Sequence, residues 1–283
     1  MSIYGVIGPN GAGKTYYLRT LSQNPGTALA QAAPDTALYG ATPREYFAIA
    51  KTGWSELDIG RAESLLDFPA TTPMKSLSLG QRQMVITAAA LASGQPALLF
   101  DEPFNGLDVE FRNRLRSMFI DAIADDDVIT DDVATVTANT DDADIDVVPS
   151  PDAAPPTDAA PSTTAPERTI VLTSQHSQDL AGLVETLIVI HDHEPHGPFD
   201  VEQLRTCHPV LRGRTEQVGQ IAADLPVFSR KTLGERTELV LAAPLSASAA
   251  EHARTLGVEV SYLDPAELID LASTSAYIER SAQ

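Results

Sequence analysis

Gly8-Pro9-Asn10-Gly11-Ala12-Gly13-Lys14-Thr15 is the most informative segment of the chain. It follows a short apolar run, 3–7, and opens a segment of helical character, so its glycines fall at a turn from strand to helix. Glycine lets backbone amides come close to an anion, the N-terminus of the following helix favours negative charge, and Lys14 adds a full positive one. The spacing G-x-x-x-x-G-K-[ST] is that of a loop folded round phosphate groups, with Lys14 reaching the terminal phosphates and Thr15 offering a hydroxyl to a divalent cation.

Working outward, apolar runs at 97–100, 169–172 and 186–190 read as further buried strands of a parallel sheet. Helical patterns separate them, which predicts a doubly wound α/β sheet of the phosphate-loop type over residues 1–200. Between the first two strands, 32–93 reads as an inserted helical subdomain with helices near 43–51, 54–66 and 81–93. From 122 to 166 the chain holds 11 aspartates, no Lys or Arg and 6 prolines. Such a composition buries too little apolar surface to offset ordering entropy, so a disordered acidic insertion is expected there. Residues 208–283 alternate short strand and helix patterns and predict a small α+β C-terminal domain.

The formal net charge is −20, of which the acidic stretch accounts for more than half. Nucleic acid recruits basic faces, so this charge argues for no nucleic-acid partner. A single cysteine, Cys207, fits a reducing compartment and hence the cytoplasm. The start shows no secretory signal, and the longest apolar run, 84–92, is too short to cross a bilayer. Contact with a membrane would therefore require a partner.

The second strand ends in Asp101-Glu102, which delivers two carboxylates to the C-terminal edge of the sheet, where ligands bind in such folds. Asp101 suits the shell of a divalent cation; Glu102 suits a general base acting on water. Leu77-Ser78-Leu79-Gly80-Gln81 opens an Ala-rich helix, so Ser78 and the Gly80 amide stand at a helix N-terminus. Taken alone this is a Ser-capped helix.

In order, the phosphate loop, LSLGQ, LLFDEP, Asn105-Gly106-Leu107-Asp108 and Thr173-Ser174-Gln175-His176 resemble the ABC ATPase family over about residues 1–190. The resemblance implies ATP and Mg²⁺ as ligands, with nucleotide contacts from Gly8, Pro9, Asn10, Gly11, Ala12, Gly13, Lys14, Thr15 and Tyr16. Ser78, Gly80 and Gln81 match the signature that closes over the γ-phosphate held by an opposite subunit, and Asp108 matches the D-loop aspartate. His176 matches the switch histidine that touches the γ-phosphate, and is paired with Glu102 as catalytic. Gln31 is similar to the Q-loop glutamine, which puts it with Thr15 and Asp101 around Mg²⁺, because 37–46 downstream looks like a permease-contacting stretch. The family's partners would then be a transmembrane permease and a second ATPase subunit, identical or related. Membrane contact would come only through the permease, at the inner face of the cell membrane.

Several features depart from the family pattern. Only seven residues precede Gly8, Lys14 and Gln31 lie close together, and Tyr16 stands where a hydroxyl residue is usual. An export-type transport ATPase is the leading reading; a soluble ABC ATPase of translation, repair or cluster assembly, and a nucleotide-binding regulatory subunit without turnover, stay open beside it. His191, His193 and His196 follow a strand and read as a solvated hairpin turn rather than a metal cluster.

Overall fold

The computed structural model describes residues 2–136, 168–275 and 277–278. The first part of the chain runs β1 (Ser2–Ile7), α1 (Lys14–Leu21), β2 (Thr27–Gln31), α2 (Pro43–Ala50), α3 (Ile59–Ser64), α4 (Leu79–Leu91), β3 (Ala97–Asp101), α5 (Val109–Val136), β4 (Thr169–Ser174), α6 (Ser177–Leu180), β5 (Thr186–His191) and β6 (Glu194–Asp200). Six strands form one sheet in the order β2-β3-β4-β1-β5-β6. The first five are parallel and β6 returns antiparallel at the edge as a hairpin with β5. This is the doubly wound α/β architecture the sequence predicts. Strands β2 and β6 are additional to the four read from apolar runs: β2 is the Ala-containing TALAQ, and β6 carries Gly197 and two prolines, neither a strong strand pattern.

Helix α4 is the pivot of the packing. Its residues from Gln83 to Leu91 are all buried, so it is apolar on nearly every side and lies in the interior rather than on it. Small side chains at Ala88, Ala89 and Ala90 let neighbouring backbones approach. Phe100 and Phe119 meet edge to face at 4.9 Å, and Phe104 joins Phe119 at 6.0 Å, tying β3 and the turn after it to α5. Helices α2 and α3 begin at Thr42 and Asp58, whose side chains accept the amides of Glu45 and Arg61. The inserted helical subdomain is thus present, with helices at 43–50, 59–64 and 79–91.

The expected irregular stretch from 122 differs. Ala122 is buried in the core and α5 continues through the aspartates to Val136. Once a helix is nucleated and packed, each further residue costs little, which is why the change in composition does not end it. The rest of the expected acidic insertion, 137–166, lies outside the described residues.

The second part runs α7 (Val201–Cys207), β7 (Pro209–Arg214), α8 (Thr215–Ile221), β8 (Val227–Leu233), β9 (Arg236–Leu241), α9 (Ala247–Thr255), β10 (Glu259–Tyr262) and α10 (Pro265–Ala272). Its antiparallel sheet has the order β10-β7-β9-β8. Alternation splits the two faces. Leu211, Leu239 and Leu241 join Val218, Ile221, Ala253 and Val258 in a core of their own. Val210 and Val240 turn the other way and, with Leu268, Ile269 and Leu271 of α10, belong to the same core as Ile3, Leu172 and Leu180. The C-terminal unit is therefore packed into the first, not merely tethered to it.

Candidate active site

The phosphate-loop sequence connects β1 to α1, as its glycines require. A Cβ on Gly8 would lie 2.6 Å from the Ile190 carbonyl oxygen, so only glycine lets the loop leave β1 beside β5. Gly11 and Gly13 have φ of 80° and 105°, the left-handed region open to glycine at little cost. Gly13 is the N-cap of α1 and makes no side-chain cap bond, so the amides of the first turn remain available to an anion. Lys14 is buried and its Nζ donates to the carbonyls of Gly8 at 2.7 Å and Pro9 at 3.2 Å. The same Nζ stands 3.0 Å from Glu102 Oε1.

Glu102 follows directly on β3 and takes φ of 50°, an unusual conformation for a residue with a side chain. Thr173 at the end of β4 holds it there, its Oγ1 accepting the Glu102 amide at 2.8 Å and donating to Asp101 Oδ1 at 2.9 Å. Strand register sets Gln31 directly beside Asp101. The structure thus gathers Gln31, Asp101, Glu102 and Lys14 at the C-terminal edge of the sheet, with Thr15 next to Lys14 in the first turn of α1. Thr173 is a contributor the motifs did not reveal; the change from apolar to hydroxyl residues at the end of β4 was its signal.

The LSLGQ segment opens α4. Ser78 Oγ accepts the Gln81 amide at 3.2 Å and Gln81 Oε1 accepts the Ser78 amide at 3.0 Å, a reciprocal cap on α4. Oγ is an acceptor in that bond, so the Ser78 hydroxyl proton stays free to donate. Gly80 packs on α5: a Cβ there would come within 2.2 Å of the Phe111 ring. Asp108 Oδ1 accepts the Phe111 amide at 2.9 Å and caps α5. Ser78, Gly80, Gln81 and Asp108 therefore form a second group at the N-termini of α4 and α5. Gln83, also on α4, accepts the Ala33 amide at 2.7 Å and so ties down the chain just after Gln31.

His176 lies two residues beyond β4 with its side chain exposed, while Gln175, the first residue past the strand, is half-buried. Since Ile7 pairs with Ser174, Gln175 comes level with Gly8. Gln175 is therefore a second candidate for the switch position, one that a search for histidine passes over. Tyr16 is 77% exposed on the first turn of α1. Of the three histidines only His193 lies in the turn, where it and Asp192 have positive φ; His191 ends β5 and His196 lies within β6, and no metal-holding cluster occurs among the described residues. His193 Nδ1 would lie 3.4 Å from a Cβ on Gly13, so the turn leans against the phosphate loop.

The donor set fits a nucleotide triphosphate with a hard divalent cation. Asp101 is a buried carboxylate with one oxygen engaged by Thr173, and the hydroxyl of Thr15 and the amide oxygen of Gln31 would complete an all-oxygen set of the kind Mg²⁺ takes.

No family model matches the chain. It is 38% identical over 124 residues to the cytochrome c biogenesis ATP-binding export protein CcmA of Novosphingobium aromaticivorans, a match covering 40% of this chain and 63% of that protein. It is 30% identical over 145 residues to the cobalamin import ATP-binding protein BtuD of Halobacterium salinarum, covering 40% of this chain and 36% of that protein. A likeness of 30% over 138 residues to the energy-dependent translational throttle protein EttA of Mycobacterium tuberculosis covers 42% and 25%. The chain spans no more than 63% of the length of these relatives. In sequence the chain is thus similar to ATP-binding proteins of export and import systems and to a translational throttle protein.

Proposed function

We propose that this chain is the ATP-hydrolysing subunit of an ABC transporter, pairing with a second copy or a related ATPase subunit around two nucleotides and driving a separate transmembrane permease, for export. The observation that carries the reading is the 3.0 Å contact between Lys14 and Glu102, which puts the phosphate-loop cation and the candidate general base at one point. The amides of 11–15 and Lys14 would bind the phosphates, and Thr15, Gln31 and Asp101 would hold Mg²⁺. When bound, Mg²⁺ offsets charge on the phosphates and fixes their orientation. A carboxylate paired to lysine is a poor base, so transfer of Lys14 from Glu102 to phosphate oxygen leaves Glu102 free to take the proton of the attacking water. Ser78 and Gly80, at the start of α4, would close over the nucleotide of the other subunit. Gln175 or His176 would face the terminal phosphate.

Tyr39 and Ile49, 66% and 46% exposed on the helical subdomain, support a docking face for the permease. Among the described residues no helix is long and apolar enough to cross a membrane, so membrane contact is assigned to that partner, with the subunit at the cytoplasmic side. The test combines turnover, dimerisation and capture. Wild type should hydrolyse MgATP, Glu102→Gln should bind it without turnover and sediment as a dimer, and tagged protein should carry a polytopic membrane protein out of detergent extracts. The likeness to EttA favours one other reading, action on the ribosome; recovery with ribosomes and no membrane protein would decide for it.

A further inference from the structure

Helix α6 is four residues long and too short to hold itself. Its position is imposed by α5. Arg116 donates through Nη1 to the carbonyls of Asp179 at 2.8 Å and Gln178 at 3.3 Å, and through Nη2 to that of Ala181 at 2.5 Å. Burial pulls the Arg116 guanidinium below its ordinary pKa, opposed by the charge of Asp179. Arg112 Nη1 meets Asp179 Oδ1 at 2.6 Å, while Arg112 Nε donates to the Leu107 carbonyl at 3.2 Å. The Asp179 side chain is only 6% exposed. Its second oxygen, Oδ2, accepts from Ser174 Oγ at 2.8 Å, and that hydroxyl accepts the His176 amide at 3.0 Å. On its other side α6 packs against α10.

One unbroken chain of bonds thus runs from the Leu107 carbonyl, next to Asp108, through Arg112, Asp179 and Ser174 to the His176 amide. Resting on the functional reading above, we propose that Asp179 is a positioning residue for hydrolysis: through Arg112 and Ser174 it fixes the loop of Gln175 and His176 relative to the Asp108 turn. Removing the charge of one partner leaves the other poorly compensated, and the loop loses the anchor that orients it towards the terminal phosphate. The phosphate loop makes none of these bonds. Turnover should therefore depend on Asp179 while nucleotide affinity should not.

The test uses the whole chain. Asp179→Asn keeps shape and the bond from Ser174 but discards the charge that holds Arg112. Its kcat for ATP should fall by about tenfold or more, with the Kd for MgATP within about threefold of wild type. Arg112→Met should reproduce the loss, and the Asp179→Asn/Arg112→Met double variant should be no slower than the worse single one, because both cut the same chain. Should Asp179→Asn fail to fold, Arg112→Met and Ser174→Ala carry the same comparison of kcat with Kd. An unchanged kcat in the folded variants, a Kd that weakens in step with kcat, or additive losses would overturn the inference while leaving the ATPase reading intact. A wild type without ATP hydrolysis would overturn both.

Discussion

At the residue scale, two positions do work that their motifs do not spell out. Lys14 is held by two loop carbonyls and by Glu102, so its ammonium is poised at the edge of the sheet rather than roaming in solvent. Lys14→Ala removes charge-assisted bonds to phosphate worth about 1.5–3 kcal/mol each, and calorimetry should show MgATP affinity lowered at least about tenfold. Gly80, at the start of α4, is required for the space that Phe111 fills. Gly80→Ala forces a methyl into that ring and should cost about 1–3 kcal/mol in denaturant titration. Phe111→Leu in the same chain should recover part of that loss, an outcome that a purely functional role for Gly80 does not give.

Elements impose the next constraint. The reciprocal cap between Ser78 and Gln81 secures the first turn of α4, so Ser78→Ala should lower stability by about 1 kcal/mol whether or not nucleotide is present. In the antiparallel sheet, Glu238 on β9 accepts from Arg212 on β7 at 2.8 Å, and this hydrogen bond, more than the coulombic attraction, holds its carboxyl below the usual range. A depressed carboxylate contributes stability that is present above its unfolded pKa and is lost as pH falls through the folded one. Wild type should therefore lose stability on acidification below the ordinary glutamate range, and Glu238→Gln should flatten that part of the profile. Glu238 is about one-third exposed, so the change is small and best read as the slope of melting temperature against pH.

Over the whole molecule, the two units share a core. Val210, Val240 and the apolar face of α10 lie in one cluster with Ile3, Leu172 and Leu180. Truncation after Asp200 should strip apolar cover from α6 and the main sheet. The shortened chain should aggregate or melt well below the full one in a thermal scan. An independently folded appendage would leave the melting temperature of the first unit unchanged.

The doubly wound sheet is legible in the chain alone, because glycine spacing, apolar runs and terminal carboxylates are local chemistry. Four strand positions, the helical insertion and the gathering of Lys14, Asp101 and Glu102 at one edge follow from a strand carrying its last residue to the same rim as its parallel neighbours. The α+β pattern after 208 was legible for the same reason. What depends on partners distant in the chain emerges with the folded structure. Thr173 grips Asp101 and Glu102 from 72 and 71 residues away, and Arg112 reaches Asp179 across 67. Local pattern carries no record of such pairings. The same holds for β2, which is weak alone and exists because β3 pairs with it, and for α5, which runs past 122 because packing upstream had already met the cost of starting a helix.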